Sequence, residues 1–195
     1  LRKPVLYKLT RGDEIDVKGF RTTLLGRFKV QCLKHTVGKF VAITKGIEED
    51  LRRLGIPAKK LARIPNGIEI KDFSKCYDRE KVKSELGWGP ETKVATFVGR
   101  LIAVKGVDWL LRIWRDVIQQ ETLGRLLIIG DGPERSALED QIRSFGLTDS
   151  VALVGRQEDV FKFLAITDVF VLPSRLEGVS NALLEAMSQG LPVIV

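Results

Sequence analysis

The sequence is poor in the residues that most often build metal and disulfide sites. It holds one histidine and two cysteines in 195 residues, and Cys32 and Cys76 lie far apart with no CxxC pattern. We therefore expect reduced thiols in a cytoplasmic protein. His35 has no neighbouring Cys or His, so no zinc pattern exists, and a Ser-His-Asp triad has no credible histidine.

Long apolar runs and several nucleotide-binding motifs are also missing. No run approaches the roughly 18 residues of a membrane span. There is no P-loop pattern, and GDGPER (130–135) begins like G-x-G-x-x-G but has Arg135 at the third glycine. No Asp-x-Asp occurs, so this carboxylate pair for a divalent metal is absent.

Acidic residues are scarce in the first third of the chain. Residues 1–68 contain 16 Lys and Arg against 6 Asp and Glu, whereas residues 69–195 contain 16 against 19. The basic excess therefore belongs to the first third. It suits nucleic acid, an anionic membrane or an anionic substrate, or it is a solvated surface.

Short apolar segments alternate with helical patterns. Strands are predicted at 3–9, 39–44, 94–98, 126–130, 151–155, 169–173 and 192–195. Helices are predicted at 20–36, 46–55, 106–120, from about 133, at 158–166 and at 180–189. This alternation predicts an α/β fold, a parallel sheet with helices on both faces.

A Pro-Asn-Gly turn within 63–69 and the change in charge predict two domains, 1–68 and 69–195. The chain begins at Leu1 rather than Met and stops inside the apolar run PVIV, so we expect a fragment. Pro133 is predicted at a first helical position. Helical spacing is shown by Val107, Leu110, Leu111, Trp114 and Val117.

Ligands of open α/β sheets bind beyond the carboxyl ends of the strands. The loop after strand 94–98 contains Arg100 and Lys105, a bidentate and a compact cation suited to phosphate. A cation near a helix start is unusual unless an anion joins it. Both residues are otherwise ordinary surface cations.

The segment RLEGVSNALLEAM (175–187) follows strand 169–173. A helix start near Ser180 would leave the N–H groups of residues 181–183 available to an anion, although Ser180 is alternatively only an N-cap. Glu185 is able to hold a vicinal diol such as ribose, or it is a solvated residue on the helix surface, which is awkward within an apolar run.

Five motifs in this order resemble the retaining glycosyltransferases of the GT-B fold, family 4. They are IPNGIE (64–69), GRLIAVKG (99–106), GDGPE (130–134), VALVG (151–155) and SRLEGVSNALLEAMSQGLPVIV (174–195). The last contains an E-x7-E pattern, Glu177 to Glu185. The resemblance extends from about residue 40 to the end.

The resemblance implies two Rossmann-like domains, with residues 1–68 a remnant of the N-terminal acceptor-side domain and 69–195 the nucleotide-sugar-binding domain. It implies that Arg100 and Lys105 stabilise the diphosphate leaving group, that Glu177 contacts the sugar and that Glu185 binds ribose. Backbone amides from Gly178 to Leu183 contact sugar and phosphate, and Arg156 and Gln157 lie by the base. The full set of implied binding residues is Gly99, Arg100, Lys105, Gly106, Arg156, Gln157, Glu177, Gly178, Val179, Ser180, Asn181, Ala182, Leu183 and Glu185.

The implied donor is a UDP-, GDP- or ADP-sugar, with no metal and no other cofactor. The implied activity is hexosyl transfer to a glycan, glycolipid or small acceptor, with retention and without an assured protein nucleophile. We expect a cytoplasmic protein, peripheral at the inner membrane face through residues 1–68, and no nucleic-acid partner. We expect the fragment alone to be inactive. A non-catalytic nucleotide- or anion-binding module and a basic nucleic-acid-binding protein remain the alternatives.

Overall fold

Two parallel sheets organise the chain in a computed structural model, which describes residues 5–9, 23–68, 76–120 and 122–195. The chain divides into two units, residues 1–67 with 177–180, and residues 68–176 with 181–195. The predicted α/β fold with parallel sheets is confirmed.

The first unit contains a three-stranded sheet in the order β1-β2-β3. Its strands are β1 (Leu6–Leu9), β2 (Lys39–Ala42) and β3 (Leu61–Arg63). Helix α1 (Leu24–Thr36) connects β1 to β2, and α2 (Lys45–Arg53) leads toward β3. Thr23 and Thr44 cap these helices, each accepting a hydrogen bond from the N–H three residues on, at 3.0 and 3.2 Å.

The second unit contains a five-stranded parallel sheet in the order β6-β5-β4-β7-β8. The strands are β4 (Lys93–Val98), β5 (Gly124–Ile129), β6 (Val151–Gly155), β7 (Val169–Val171) and β8 (Val193–Ile194). The helices are α3 (Arg79–Glu85), α4 (Val107–Gln120), α5 (Arg135–Ser144), α6 (Val160–Leu164) and α7 (Asn181–Ser188).

Strand β5 shows why this sheet is covered on both faces. Leu126 and Ile128 belong to one core cluster, with Leu111 of α4, while Leu127 and Ile129 belong to another. All four β5 side chains are at most 1% exposed. Because side chains alternate across a strand, a continuous apolar run fills both cores.

Several local predictions differ from the structure. Strand β3 and helix α3 were not predicted, because LAR is only three residues long and REKVKSE is mostly charged. Pro133 lies two residues before α5 and is not its first residue. On α4, Val117 is 36% exposed while the other four residues at the predicted helical spacing are buried. The predicted positions 3–4 and 20–22 lie outside the described residues.

Candidate functional site

The five-stranded sheet reverses its strand order beside β4. The chain runs from β4 outward to β5 and β6, then returns to the other side of β4 for β7 and β8. Ligands of open α/β sheets bind beyond the carboxyl ends of the strands at such a switch point. The loops after β4 and β7 therefore border the expected ligand position.

Backbone hydrogen bonds hold the loop after β4 in place. The Gly99 N–H donates to the Ile129 carbonyl at 3.0 Å, which ties the loop to β5. The Arg175 N–H donates to the Val104 carbonyl at 2.8 Å, which ties the loop to the segment after β7. Residues on these loops consequently have fixed backbone positions.

Two glycines allow the loops to approach this closely. A Cβ at Gly130, where φ is +142°, would lie 1.8 Å from the Gly99 carbonyl oxygen. A Cβ at Gly106, where φ is +68°, would lie 2.2 Å from the Pro173 carbonyl oxygen. No other residue type fits at either position without a backbone shift.

A pocket of about 370 Å³ opens at the carboxyl ends of β4, β5 and β6, within the range typical of small-molecule sites. Two of its lining residues, Arg100 and Arg156, are exposed cations. The side-chain amide of Gln157 donates to the Val154 carbonyl at 2.8 Å. The lining is formed by Val98, Gly99, Arg100, Ile129, Gly130, Asp131, Arg156, Gln157 and Val160.

Four predicted site residues meet in this pocket: Gly99, Arg100, Arg156 and Gln157. The other five lining residues were not predicted as site residues. The positions of four of them relative to the strands could have identified them. Val98 and Ile129 end their strands, and Gly130 and Asp131 follow β5 directly. The half-buried side chains of Val98 and Val160 beside two arginines suit a ligand with a flat apolar part and an anionic part.

Lys105 and Gly106 lie outside the lining of this pocket. Lys105 is half-buried and ends a short 3-10 turn, Ala103–Lys105, two residues before α4 begins. Its predicted place near a helix start is confirmed. In the first turn of α4, the Asp108 carboxylate lies 3.5 Å from the Arg175 guanidinium.

The segment after β7 leads into α7 as predicted. Glu177 and Gly178 are exposed, whereas Val179 packs against the core of the first unit, to which residues 177–180 belong. Helix α7 begins at Asn181, so the N–H groups of residues 181–183 lie in its first turn. The predicted helix start near Ser180 is confirmed.

Glu185 is a half-buried carboxylate on α7. Burial raises the pKa of Glu185 above its ordinary value of 4.5. Its backbone carbonyl accepts from the Ser188 hydroxyl at 2.7 Å, but no described residue donates a hydrogen bond or ion pair to its carboxylate. A desolvated acid without a donor is costly unless a ligand supplies one.

Replacing Glu185 with glutamine should therefore stabilise the ligand-free second unit at neutral pH. A carboxyl with a raised folded pKa stabilises the fold below its unfolded pKa, and that contribution is lost as pH rises through the folded value. Urea unfolding, followed by tryptophan fluorescence, should show Glu185→Gln more stable than wild type at pH 7 and equal to it below about pH 4. All three tryptophans, Trp88, Trp109 and Trp114, lie in this unit.

Glu85 provides a matched control, because its pKa is shifted in the opposite direction. The hydrogen bond from Lys162, at 2.6 Å, lowers the pKa of Glu85. The stability that ionised Glu85 contributes is present above the unfolded pKa and is lost as pH falls through the folded pKa. Glu85→Gln should destabilise the unit slightly at pH 7. A Glu185→Gln variant that is less stable than wild type at pH 7 would contradict the assignment of Glu185 as an unpartnered acid.

Neither a metal cluster nor a membrane span occurs in the described ranges. In these ranges, no three His, Cys, Asp or Glu side chains lie together in a way that could hold a metal ion. No helix there has the length and apolar character needed to cross a bilayer. Independence from metal stays a prediction.

Residues 92–195, more than half of the chain, match the family model of the glycosyl transferases group 1. The chain belongs to this family. The predicted family membership is thereby confirmed, and the pocket described above lies within the matched residues.

Named relatives agree with this membership. The glycosyltransferase chain is 29% identical to the UDP-Gal:alpha-D-GlcNAc-diphosphoundecaprenol alpha-1,3-galactosyltransferase of Escherichia coli, over 97% of this chain and 60% of that protein. It is 33% identical to an uncharacterized glycosyltransferase of Methanocaldococcus jannaschii, over 67% of this chain and 32% of that protein. The chain thus spans between one third and about 60% of these relatives.

Solved GT-B enzymes share the fold. HepE of Anabaena, solved in complex with UDP, superposes with a TM-score of 0.77 at 21% identity, over 98% of this chain and 53% of HepE. WaaG, a glycosyltransferase involved in lipopolysaccharide biosynthesis, superposes with a TM-score of 0.75 at 20% identity, over 98% of this chain and 56% of WaaG. The glycosyltransferase chain has the GT-B fold, as predicted.

Proposed function

We propose that this chain supplies the donor site of an enzyme that transfers a hexose-type sugar from a nucleoside diphosphate sugar to an acceptor, with retention of configuration. The pocket at the carboxyl ends of β4, β5 and β6 is the observation that carries the proposal. It combines Arg100 and Arg156 with the apolar side chains of Val98 and Val160, and it lies in the unit that contains most of the family match.

The diphosphate is assigned to Arg100 and Lys105. Charge develops on the diphosphate as the glycosidic bond breaks, and fixed cations stabilise it there. Arg100 lines the pocket, and Lys105 sits at the N-terminal end of α4, where the helix dipole also favours an anion. The backbone hydrogen bonds of this loop fix the positions from which both side chains extend.

The nucleoside is assigned to the pocket and to Glu185. The half-buried side chains of Val98 and Val160 form apolar surfaces for a base, with Arg156 and Gln157 beside it. Glu185 accepts hydrogen bonds from the ribose hydroxyls, which supply the donors that its carboxylate lacks in the protein. Glu177 is assigned to the transferred sugar, and the amides from Gly178 to Leu183 to sugar and phosphate.

The acceptor is proposed to be a glycan or glycolipid handled at a membrane. The E. coli relative is named for a diphosphoundecaprenol-linked acceptor, and the first third of this chain is strongly basic. A cytoplasmic location, peripheral at the membrane, follows from this proposal. No metal and no nucleic acid take part in it.

Isothermal titration of this chain with UDP, GDP and ADP tests the donor site. We expect saturable binding of at least one nucleotide, and the tightest identifies the base. HepE is solved with UDP, while a Corynebacterium glutamicum relative is named as GDP-mannose-dependent, so both belong in the panel. Failure of all three to bind would overturn the proposal.

A non-catalytic nucleotide-binding module is the second candidate, because the pocket lies wholly within one unit. Turnover of a panel of sugar nucleotides by a longer protein that contains this chain separates the two. Retention is checked on the product by the anomeric proton coupling in NMR, which should match that of the donor. Nucleotide binding without any turnover would favour the module.

A further inference from the structure

Helix α1 presents apolar side chains on the face where a globular helix is normally polar. Leu24 is 86% exposed, Leu25 66% and Phe28 67%. At 3.6 residues per turn, these three and the exposed Cys32 fall within an arc of about 100°. A stripe of this kind on a helix surface indicates a binding surface.

The opposite side of α1 already has its partner. Val30 and Gly26 are buried toward the rest of the first unit, and Leu33 packs against its core. The exposed stripe is therefore a second apolar face, separate from the one that holds the helix in the fold. Among the described residues, no side chain packs over this stripe.

Cations border this stripe on both sides. Arg27 and Lys34 lie along one edge of it and Lys29 along the other, by helical spacing. The helix contains no Asp or Glu, and residues 17–47 contain seven Lys and Arg with no acidic residue. The charge on this surface is therefore of one sign.

A basic cavity adjoins one edge of the stripe. Its volume is about 360 Å³, and it lies between α1 and the end of α2. Its cations are Arg27, Lys34 and Arg53, with Gln31 beside them. Arg53 is paired with Asp50 at 3.1 Å, whereas Arg27 and Lys34 have no side-chain partner among the described residues.

We propose that α1 is an interfacial helix that docks the protein on an anionic bilayer, with Leu24, Leu25 and Phe28 inserted between lipids and a lipid phosphate in the basic cavity. An apolar stripe flanked by cations is the pattern of a helix lying in the membrane plane. A nucleic acid would contact the cations but would leave the apolar side chains in water. A bilayer contacts both and therefore fits this surface better. The bilayer would be the membrane partner of the proposed function, and only the biological purpose of docking rests on that function.

Vesicle co-sedimentation of the 195-residue chain tests the surface directly. We expect binding to phosphatidylcholine vesicles that contain phosphatidylglycerol, weaker binding at high salt, and little binding to pure phosphatidylcholine. Phe28→Ser should weaken binding about tenfold or more, because a large apolar side chain no longer leaves water. Arg27→Glu and Lys29→Glu should each weaken it by at least about fivefold.

Helix α4 offers matched controls on the other unit. Ile113, which is 51% exposed, and Arg112 lie on its outer surface. Ile113→Ser and Arg112→Glu should leave vesicle binding unchanged, and circular dichroism should show that all variants keep the wild-type helix content. Equal losses from α1 and α4 substitutions would overturn the proposal.

The two exposed cysteines permit a second, independent measurement. A polarity-sensitive fluorophore on Cys32, in a Cys76→Ser background, should shift to the blue on anionic vesicles. The same label on Cys76, in a Cys32→Ser background, should not shift. A shift at Cys76 alone, or none at either position, would overturn the docking face.

Two further outcomes would also overturn it. One is tighter binding to a DNA duplex than to anionic vesicles, unaffected by Phe28→Ser, and the other is a dimer in solution that Phe28→Ser dissociates while vesicles are not bound. Nucleotide titration without lipid is independent of all these results. Absence of vesicle binding would therefore not contradict the proposed donor site, and absence of nucleotide binding would not contradict the proposed docking face.

Discussion

Arg100→Ala is expected to weaken UDP binding by roughly ten- to a hundredfold, with a further loss for the double variant Arg100→Ala, Lys105→Ala. Charge-assisted hydrogen bonds contribute about 1.5–3 kcal/mol each, which corresponds to this range. Isothermal titration is the measurement, with UDP replaced by GDP or ADP if one of these binds more tightly. Arg100→Lys should restore only part of the affinity, because a lysine does not grip phosphate bidentately.

Pyrophosphate separates the phosphate contacts from the ribose contact. It has no ribose, so Arg100→Ala should weaken pyrophosphate and UDP alike, whereas Glu185→Gln should weaken UDP alone. Arg112→Ala, an exposed cation on α4 that does not line the pocket, is the control and should change neither. Unchanged UDP affinity in Arg100→Ala, Lys105→Ala and Glu185→Gln would contradict the whole site assignment.

Gly130→Ala is expected to cost more than about 4 kcal/mol of the free energy of unfolding of the second unit. The added Cβ would lie 1.8 Å from the Gly99 carbonyl oxygen, so the backbone must move. That movement breaks the hydrogen bond from the Gly130 N–H to the Gly155 carbonyl, now 2.8 Å. Urea unfolding followed by tryptophan fluorescence reports the loss.

Gly146→Ala isolates the backbone contribution. Gly146 also has a positive φ, +66°, but an added Cβ there meets nothing within 4 Å. It should cost only the left-handed strain of about 1–2 kcal/mol. Equal costs at Gly130 and Gly146 would show that the close approach of the two loops is not what requires glycine. A folded Gly130→Ala protein should also bind UDP more weakly, since Gly99 and Gly130 both line the pocket.

Local chemistry made much of the second unit predictable. VALVG is a strand at its predicted residues, 151–155, because a short apolar run between turn residues has few alternatives. The loops after the strands were identified as site loops for a general reason, since parallel strands end at one edge of the sheet. Arg100 and Arg156, which are 56 positions apart in the chain, consequently line one pocket.

Other features depended on contacts that periodicity does not report. Val117 fits the apolar spacing of α4 yet is exposed. The three-residue segment LAR forms β3 by pairing with β2, and the mostly charged segment REKVKSE forms α3 with Val82 buried. Lys105 was predicted beside Arg100 but is not part of the pocket lining. Val160 lines that pocket without any motif to mark it, whereas Asp131 belongs to the motif GDGPE but was not predicted as a binding residue.

The sequence alone determined the α/β class, the family resemblance and the basic first third, because alternation, motif order and charge are properties of the chain itself. Tertiary structure alone decided the strand order that places β4 between β5 and β7, the cavity beside Arg100, and the outward apolar face of α1. The physical reason is burial: whether Phe28 or Glu185 meets water depends on which elements pack against its helix. The same helical pattern in a sequence is compatible with either side facing the core.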